Sequence, residues 1–164
     1  MKANFVKKYY ANIKMSDLKN KYPINIIIKS GVKFIFDNIR KKYVKLTPEE
    51  YVRQNFIKYL IEEKRFSPNL IGIEKKLPAK NNFFRTDIVI YDRNAKPLII
   101  VECKAENVKI NQDVFEQIAK YNMVFNVDLL IVTNGKQNYI CKIDYLTKSY
   151  SFLKEIPSFS ELPE

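Results

Sequence analysis

The stretch RTDIVIYDRNAKPLIIVECKA, residues 85–105, constrains the fold more than any other part of the chain. Two apolar runs, at 88–91 and 98–101, flank a polar break that contains Asp, Asn and Pro, residues that mark turns. This pattern predicts an antiparallel β-hairpin. Both runs are apolar on both faces, which is typical of strands in a sheet covered on both sides.

Three charged residues fall at the open end of this hairpin. If Tyr91 faces Leu98 across the loop, the pairing places Asp87 opposite Glu102. Side chains alternate along a strand, so Glu102 and Lys104 share one face with Asp87 while the residue between them points the other way. The sequence therefore predicts two carboxylates and an ammonium group together at the edge of a core, where a charge must be paired or bind an ion.

Two interpretations of this charged group are open. In the first, Lys104 neutralises one carboxylate in a structural salt bridge, which leaves the second carboxylate without a partner. In the second, a divalent cation lies between Asp87 and Glu102. Oxygen ligands at a site that keeps several waters suit magnesium, with manganese as a substitute. Lys104 is then free to orient or deprotonate a water, or to stabilise charge on a phosphate.

Several short motifs occur in an order that resembles a known enzyme family. Asp87, followed fifteen residues later by the tripeptide ECK at Glu102, resembles the signature of PD-(D/E)XK nucleases. Gln117 and Tyr121 are similar to the Gln-x-x-x-Tyr helix motif of a subgroup, and LTPEEYVRQ lies upstream at residues 46–54. The order resembles the N-terminal nuclease domain of type I restriction enzyme R subunits, and more closely the small stand-alone proteins of that family.

The resemblance covers about residues 34–157 and implies a restriction-endonuclease-like α/β fold, with a mixed central β-sheet flanked by helices. It also implies magnesium-dependent hydrolysis of phosphodiester bonds in DNA, as part of restriction or defence. The residues it assigns to catalysis are Asp87, Glu102, Lys104, Gln117 and Tyr121. The metal ligands it implies are Asp87, Glu102, the Cys103 carbonyl and Glu50. Lys104 would position the attacking water, and Gln117 would orient Lys104 or the phosphate.

Some of these assignments have plainer alternatives. Tyr121 also fits a core aromatic on a helical stripe, and Glu50 fits an ordinary acid at a helix N-terminus. Thr86 stands where the superfamily pattern has proline, a position that mainly shapes the strand. Glu74 resembles a recurrent family position to which no role is assigned.

A long helix is predicted to begin at Thr47, a good N-cap, with Pro48 in the first helical position and acids in the first turn. Its apolar stripe contains Arg53, which needs an anionic partner there. Glu49 and Glu50 lie at the edges of the same sector, so either could pair with Arg53 or reach the metal region.

The remaining elements follow from apolar periodicity and turn residues. They are a short helix at 5–18, strands at 24–28 and 32–36, a basic connector at 37–46, a strand at 70–77, a helix at 112–125, strands at 128–133 and 139–143, and a peripheral strand or tail over the last twenty residues. This order predicts an α/β sandwich around a mixed sheet. Residues 1–46 are predicted to form a basic extension packed on or leading into a core of residues 47–164, in a single domain.

Composition excludes several classes of chemistry. The chain has no histidine, which removes Ser-His triads, Cys-His nucleophiles and His-ligated zinc. With three glycines it has neither a P-loop nor a dinucleotide fingerprint, so no nucleotide cofactor is expected, although R subunits work beside a motor. Cys103 and Cys141 have no zinc-type spacing and are predicted to be packed thiols.

Positive charge is concentrated at the N-terminus. Residues 1–46 hold twelve Lys or Arg against two Asp, a balance of +10 out of the formal +11 of the whole chain. This favours contact with a polyanion over a merely solvated face, which stays the alternative. The residues predicted to contact the nucleic-acid backbone, without reading its sequence, are Arg40, Lys41, Lys42 and Arg85. Arg85 could instead bind Asp87, whose face it shares two residues away.

The sequence leaves the cellular setting partly open. No apolar run approaches the roughly 18 residues needed to span a bilayer, and the start lacks the apolar core of a signal peptide, so a cytoplasmic protein is predicted. Besides a DNA nuclease, a non-catalytic nucleic-acid-binding subunit of a restriction or defence complex fits the pattern. Sequence does not decide between solitary action, a homodimer and a larger complex.

Overall fold

The computed structural model describes residues 23–79, 82–111, 126–147 and 149–162. Its strands are β1 (Ile26–Lys29), β2 (Val32–Asp37), β3 (Lys42–Lys45), β4 (Ile71–Ile73), β5 (Lys76–Ala79), β6 (Asn82–Arg85), β7 (Ile88–Tyr91), β8 (Pro97–Cys103), β9 (Leu129–Thr133), β10 (Asn138–Asp144) and β11 (Ser149–Leu153). Helix α1 spans Pro48–Glu62, and short 3-10 helices occupy Pro68–Leu70 and Phe159–Glu161.

The strands form three sheets. The central one has six strands in the order β11-β10-β9-β8-β7-β4, and two smaller sheets are formed by β1-β2-β3 and by β5-β6. In the central sheet β8 and β9 run parallel, whereas the other neighbours are antiparallel. The predicted α/β fold with a mixed central sheet is confirmed. The helices predicted at 5–18 and 112–125 lie outside the described residues.

The β7–β8 hairpin has the predicted register along most of its length. Ile88 pairs with Val101 and Ile90 with Ile99, and Asp87 and Glu102 each lie one residue beyond the Ile88–Val101 pair. The expected pairing of Tyr91 with Leu98 is wrong, because a register shift after Ile90 pairs Tyr91 with Pro97 instead. The irregularity lies at the loop end, so it leaves the charged open end unchanged.

Apolar residues cover both faces of the central sheet. On one face, the α1 stripe of Val52, Phe56, Ile57 and Leu60 packs with β-strand residues that include Cys103. The opposite face has a second cluster that includes Cys141. Both thiols are free and buried, as predicted, and burial raises the pKa of Cys141 to about 12 and that of Cys103 well above its usual value.

Helix α1 begins as predicted. The Thr47 side-chain oxygen accepts a hydrogen bond from the Glu50 backbone N–H at 3.0 Å, and Pro48 occupies the first turn. Ile61, at the C-terminal end of the apolar stripe, is only partly buried.

Two segments differ from their predictions. The connector expected at 37–46 contains strand β3, which pairs with β2. The strand expected at 70–77 is split at Glu74, whose positive φ of 50° turns the chain out of β4. The strands predicted at 24–28 and 32–36 are present as β1 and β2, which pair as an antiparallel hairpin with Ser30 and Gly31 both at positive φ.

Candidate functional site

Asp87 lies directly before β7 and is held by two hydrogen bonds. Its Oδ1 accepts from the Arg53 guanidinium at 2.8 Å, and its Oδ2 accepts from the Cys103 backbone N–H at 2.7 Å. One bond comes from α1 and the other from the neighbouring strand, so the orientation of the carboxylate is fixed from two sides. The preceding Thr86 donates its backbone N–H to the Lys75 carbonyl, a bond that proline at this position would remove.

Glu102 and Lys104 are joined to each other across one residue of β8. The Lys104 ammonium donates to Glu102 Oε1 at 2.7 Å, and both side chains are about four-fifths buried. Lys104 itself is anchored, because its backbone N–H donates to the Thr133 carbonyl of β9 at 2.8 Å. The predicted convergence of two carboxylates and one ammonium group at the open end of the hairpin is therefore present.

Charge repulsion is built into this group. Burial, followed by the negative charge of Asp87, raises the pKa of Glu102 despite the bond from Lys104. Burial opposes the protonated form of Lys104, but its bond with Glu102 and the nearby carboxylate charges raise its pKa overall. The two shifts agree once Asp87 is considered, since its charge repels the Glu102 carboxylate and attracts the Lys104 ammonium. Ionisation of Glu102 is therefore less favourable in the folded protein than in the unfolded chain.

Because of this repulsion, we expect the difference in free energy of unfolding between the wild-type protein and Glu102→Gln to depend on pH when both are measured in chelator. The folded protein holds the Glu102 proton more tightly than the unfolded chain, so this stabilisation is present below the ordinary pKa of 4.5 and is lost as pH rises through the raised value. Urea denaturation between pH 4 and 8 should show the wild type losing free energy of unfolding relative to the variant. A difference that does not vary with pH would contradict the raised pKa.

Arg53 is the buried cation next to Asp87. Besides Asp87, its guanidinium bonds Glu50 at 2.6 Å and Glu74 at 3.4 Å, and its side chain is 8% exposed. The prediction that this arginine needs an anionic partner is confirmed. Its Nε has no hydrogen-bond partner, alone among the buried side-chain nitrogen and oxygen atoms of the described residues. The terminal nitrogens therefore determine how this side chain is placed.

Glu74 is the acceptor shared by three arginines. Arg40 bonds it at 2.7 Å, Arg53 at 3.4 Å, and Arg85 also contacts it. Although burial acts in the opposite direction, the Arg85 hydrogen bond and the three positive charges lower the pKa of Glu74. Its backbone N–H also donates to the Asp87 carbonyl at 3.0 Å. Glu74, which had no role assigned from the sequence, thus links the β1-β2-β3 sheet, α1 and Asp87.

The residues predicted to contact the nucleic-acid backbone occupy different environments in the structure. Arg40 bonds Asp37, Glu50 and Glu74, so its charge is matched inside the protein. Arg85 is 64% exposed and bonds Glu74, whereas Arg53 holds Asp87. Lys41 and Lys42 are exposed. Contact of any of them with nucleic acid stays a prediction, and the two lysines are the better placed for it.

The donor set at the hairpin fits magnesium. Magnesium is typically bound through one or two carboxylates and keeps several waters, and a cation between Asp87 and Glu102 would relieve their repulsion. The oxygens of Glu50 accept hydrogen bonds from Arg40, Arg53 and Gln54, and its role as a metal ligand stays a prediction. Within the described ranges, no three acidic or cysteine side chains are placed to hold a metal ion. The Cys103 carbonyl keeps its metal role as a prediction.

Sequence reasoning located the hairpin group but missed most of the surrounding network. Gln117 and Tyr121 lie outside the described residues, so their catalytic roles stay predictions. Asp37, Arg40 and Glu74 were not grouped with Asp87. The one usable signal was Arg53, a charge inside an apolar stripe, which pointed to Glu49 or Glu50 but not to Asp87.

We expect Arg53→Gln to reduce the free energy of unfolding by about 3–5 kcal/mol, because three carboxylates lose a buried partner. The matched control is Arg85→Gln, which removes the same charge and a bond to the same Glu74 from an exposed position, and should change stability by less than about 1 kcal/mol. Urea denaturation compares them. Equal losses would show that Arg53 is not the cation on which the network depends.

A solved structure shares this fold. A fragment assigned to the HsdR subunit of a type I restriction enzyme from Vibrio vulnificus YJ016 superimposes with a TM-score of 0.51 and 22% sequence identity. The match covers 71% of this chain and 24% of that chain, so this chain spans about a quarter of its length. The match shows that this chain shares the mixed α/β fold of that fragment.

Residues 48–157 match the family described as type I restriction enzyme R protein N terminus (HSDR_N), and the chain belongs to that family. The resemblance identified from the motifs is therefore confirmed. No curated protein matches the sequence. Across the residues described by the structure, no helix has the length and apolar character needed to cross a membrane.

Proposed function

We propose that this chain is a magnesium-dependent nuclease that hydrolyses phosphodiester bonds of DNA in restriction or defence. The observation that carries the proposal is the arrangement of Asp87, Glu102 and Lys104 at the open end of one hairpin, with two carboxylates that repel each other beside a fixed ammonium group. Membership of the R-protein N-terminal family supports the same class of reaction.

Asp87 and Glu102 would hold the cation. When bound, magnesium supplies a Lewis acid that stabilises the charge developing on the phosphate. Asp87 is prepared for this role, because Arg53 and the Cys103 N–H fix its carboxylate in one orientation before any ligand arrives. A carboxylate that is already fixed in position loses less conformational entropy when it binds a cation.

Lys104 would act on the attacking water or on a phosphate oxygen. Its raised pKa keeps the ammonium protonated at neutral pH, which favours orienting a water and stabilising negative charge over removing a proton. Its backbone bond to Thr133 and its side-chain bond to Glu102 place the ammonium next to the carboxylate pair. Gln117 is proposed to orient Lys104 or the phosphate.

The match covers 24% of the R-subunit fragment that shares the fold of this chain, and we also propose that the chain acts beside partner subunits. A non-catalytic nucleic-acid-binding subunit is the competing function, and it would have no need for all three charged residues at the hairpin.

The test is incubation of the purified protein with single-stranded and double-stranded DNA and RNA, each with magnesium, manganese or chelator. We expect cleavage of DNA with magnesium, and none in chelator. Binding without cleavage under every condition would overturn the proposed nuclease and favour the binding subunit. Cleavage that continues in chelator would overturn the role of the metal.

A further inference from the structure

One face of the β1-β2-β3 sheet carries three aromatic rings. Phe36 lies opposite Tyr43 in the β2–β3 pairing, and Phe34 lies two residues before Phe36 on the same strand. Residues directly opposite each other share a face, and so do residues two apart, so the three rings project together. The alternate residues Ile35 and Asp37 lie on the opposite face and are fully buried. The aromatic rings therefore face away from the buried side.

These rings are accessible. Tyr43 is 37% exposed, and Phe34 and Phe36 are partly exposed. The Phe36 and Tyr43 rings meet edge to face, with their centroids 5.2 Å apart. None of the three belongs to either hydrophobic cluster formed by the described residues. Their positions are thus explained by the sheet register and not by packing in the central core.

Positive charge surrounds the rings. Lys45 is opposite Phe34, and Lys29 is two residues from Ile27, which is also opposite Phe34, so both lysines share the aromatic face. The exposed lysines of the whole sheet are Lys29, Lys33, Lys41, Lys42 and Lys45. No carboxylate of the described ranges pairs with any of these five. The single acid of residues 23–45, Asp37, is buried and bonded to Arg40.

We propose that Phe34, Phe36, Tyr43, Lys29 and Lys45, together called the aromatic face, bind single-stranded nucleic acid. Bases stack on the rings while the lysines neutralise phosphates. Aromatic side chains on a positively charged surface bind single strands with little sequence preference, because every base offers a π-face. A duplex keeps those faces stacked inside, so it can engage the lysines but not the rings.

The aromatic face is attached to the Asp87 site by a chain of ion pairs. Arg40, in the β2–β3 turn, bonds Glu50 and Glu74, and both of these bond Arg53, which holds Asp87. A strand bound on the sheet is therefore held on an element fastened to the carboxylate site. Its role as the nuclease substrate rests on the proposed function, whereas binding to the aromatic face does not.

The first test measures fluorescence anisotropy of a labelled oligo(dT) strand and of a duplex of equal length, both in chelator. The variant Phe36→Leu with Tyr43→Leu keeps apolar bulk and removes both stacking surfaces. We expect single-strand affinity to fall roughly tenfold or more, with duplex affinity nearly unchanged. Tyr150→Leu, on the edge strand β11 and 57% exposed, is the matched control and should change neither affinity.

The charge contribution is tested by salt dependence. Replacing Lys29 and Lys45 by glutamine should reduce the slope of log affinity against log salt on the single strand by about 1.4, since each neutralised phosphate contributes about 0.7. The control pair, Lys142→Gln with Lys154→Gln, removes two exposed lysines from β10 and the chain just after β11, and should leave the slope unchanged.

A fluorescent tryptophan on the aromatic face tests base stacking in a variant that does not depend on the stability of the leucine variant. The chain has no tryptophan, so Phe36→Trp introduces a single one on the aromatic face. Stacking should quench its fluorescence when oligo(dT) binds, and Tyr150→Trp should show no quenching. Absence of quenching at saturating oligo(dT), or equal loss of single-strand and duplex affinity in the leucine variant, would overturn the proposal.

Three further outcomes separate this inference from its alternatives. Capture by vesicles containing phosphatidylglycerol, without binding to oligo(dT), would overturn it in favour of a membrane surface. Tight single-strand binding with no cleavage in magnesium would retain the aromatic face and overturn the proposed nuclease. Cleavage in magnesium together with unchanged single-strand affinity in the leucine and glutamine variants would retain the proposed nuclease and overturn the aromatic face.

Discussion

Asp87→Asn and Glu102→Gln should each abolish magnesium-supported cleavage, reducing the rate by roughly a thousandfold or more, because each removes half of the carboxylate pair proposed to hold the cation. Calorimetric titration should show magnesium affinity lost in both. Glu155→Gln, at a carboxylate that is 81% exposed, carries the same charge change and should leave cleavage and magnesium affinity as in the wild type. Unchanged magnesium affinity in both site variants would remove the metal assignment.

The same two variants should differ in stability. Asp87 accepts hydrogen bonds from Arg53 and from the Cys103 N–H, so Asp87→Asn should reduce the free energy of unfolding by about 1.5–3 kcal/mol. Glu102→Gln relieves repulsion from Asp87 and should be at least as stable as the wild type at neutral pH in chelator. Loss of activity in the more stable variant would show that cleavage fails for chemical reasons and not through unfolding.

Lys104→Ala should reduce the cleavage rate by about two to four orders of magnitude, since the ammonium group is proposed to act on the water or the phosphate. Affinity for oligonucleotides, measured in chelator, should change only slightly, because one positive charge among many contributes little to binding. Single-turnover kinetics at saturating enzyme separates these effects, since weak binding is overcome at saturation and a chemical defect is not.

The control for this variant is Lys136→Ala, at a lysine that is 64% exposed and lies 3.7 Å from Glu106. It removes another lysine–glutamate pair without touching the hairpin group, and should leave the rate unchanged. If Lys104→Ala is mostly unfolded and the remaining folded molecules cleave at the normal rate, the Lys104–Glu102 pair is a structural salt bridge. This is the alternative interpretation that the sequence left open.

Local patterns were sufficient to predict the hairpin and its charged end. Alternation along a strand fixes which side chains share a face, and register continues from one pair to the next, so Asp87 could be set opposite Glu102 without knowledge of the rest of the fold. The irregularity at Tyr91 escaped prediction because it depends on how the loop closes. The irregularity does not change the register at the charged end, because it lies at the opposite end of the hairpin.

The β1-β2-β3 sheet shows a different limit. Two of its strands were predicted, but residues 42–45 were assigned to a basic connector, because lysines around Tyr43 and Val44 mask a short β-run. Only the observed pairing with β2 places Tyr43 opposite Phe36 and reveals the aromatic face. The charge count of the segment indicated a polyanion, but it did not show which side chains would meet it.

The sequence by itself determined the β7–β8 hairpin, the N-cap of α1 and the positions of Asp87, Glu102 and Lys104, because these depend on neighbours along the chain or across one hairpin. Only the tertiary structure decided which cation neutralises which carboxylate. Arg53 lies 34 residues from Asp87, and Arg40 lies 34 from Glu74. Pairing between buried charges depends on which elements pack together, and no local periodicity records that choice.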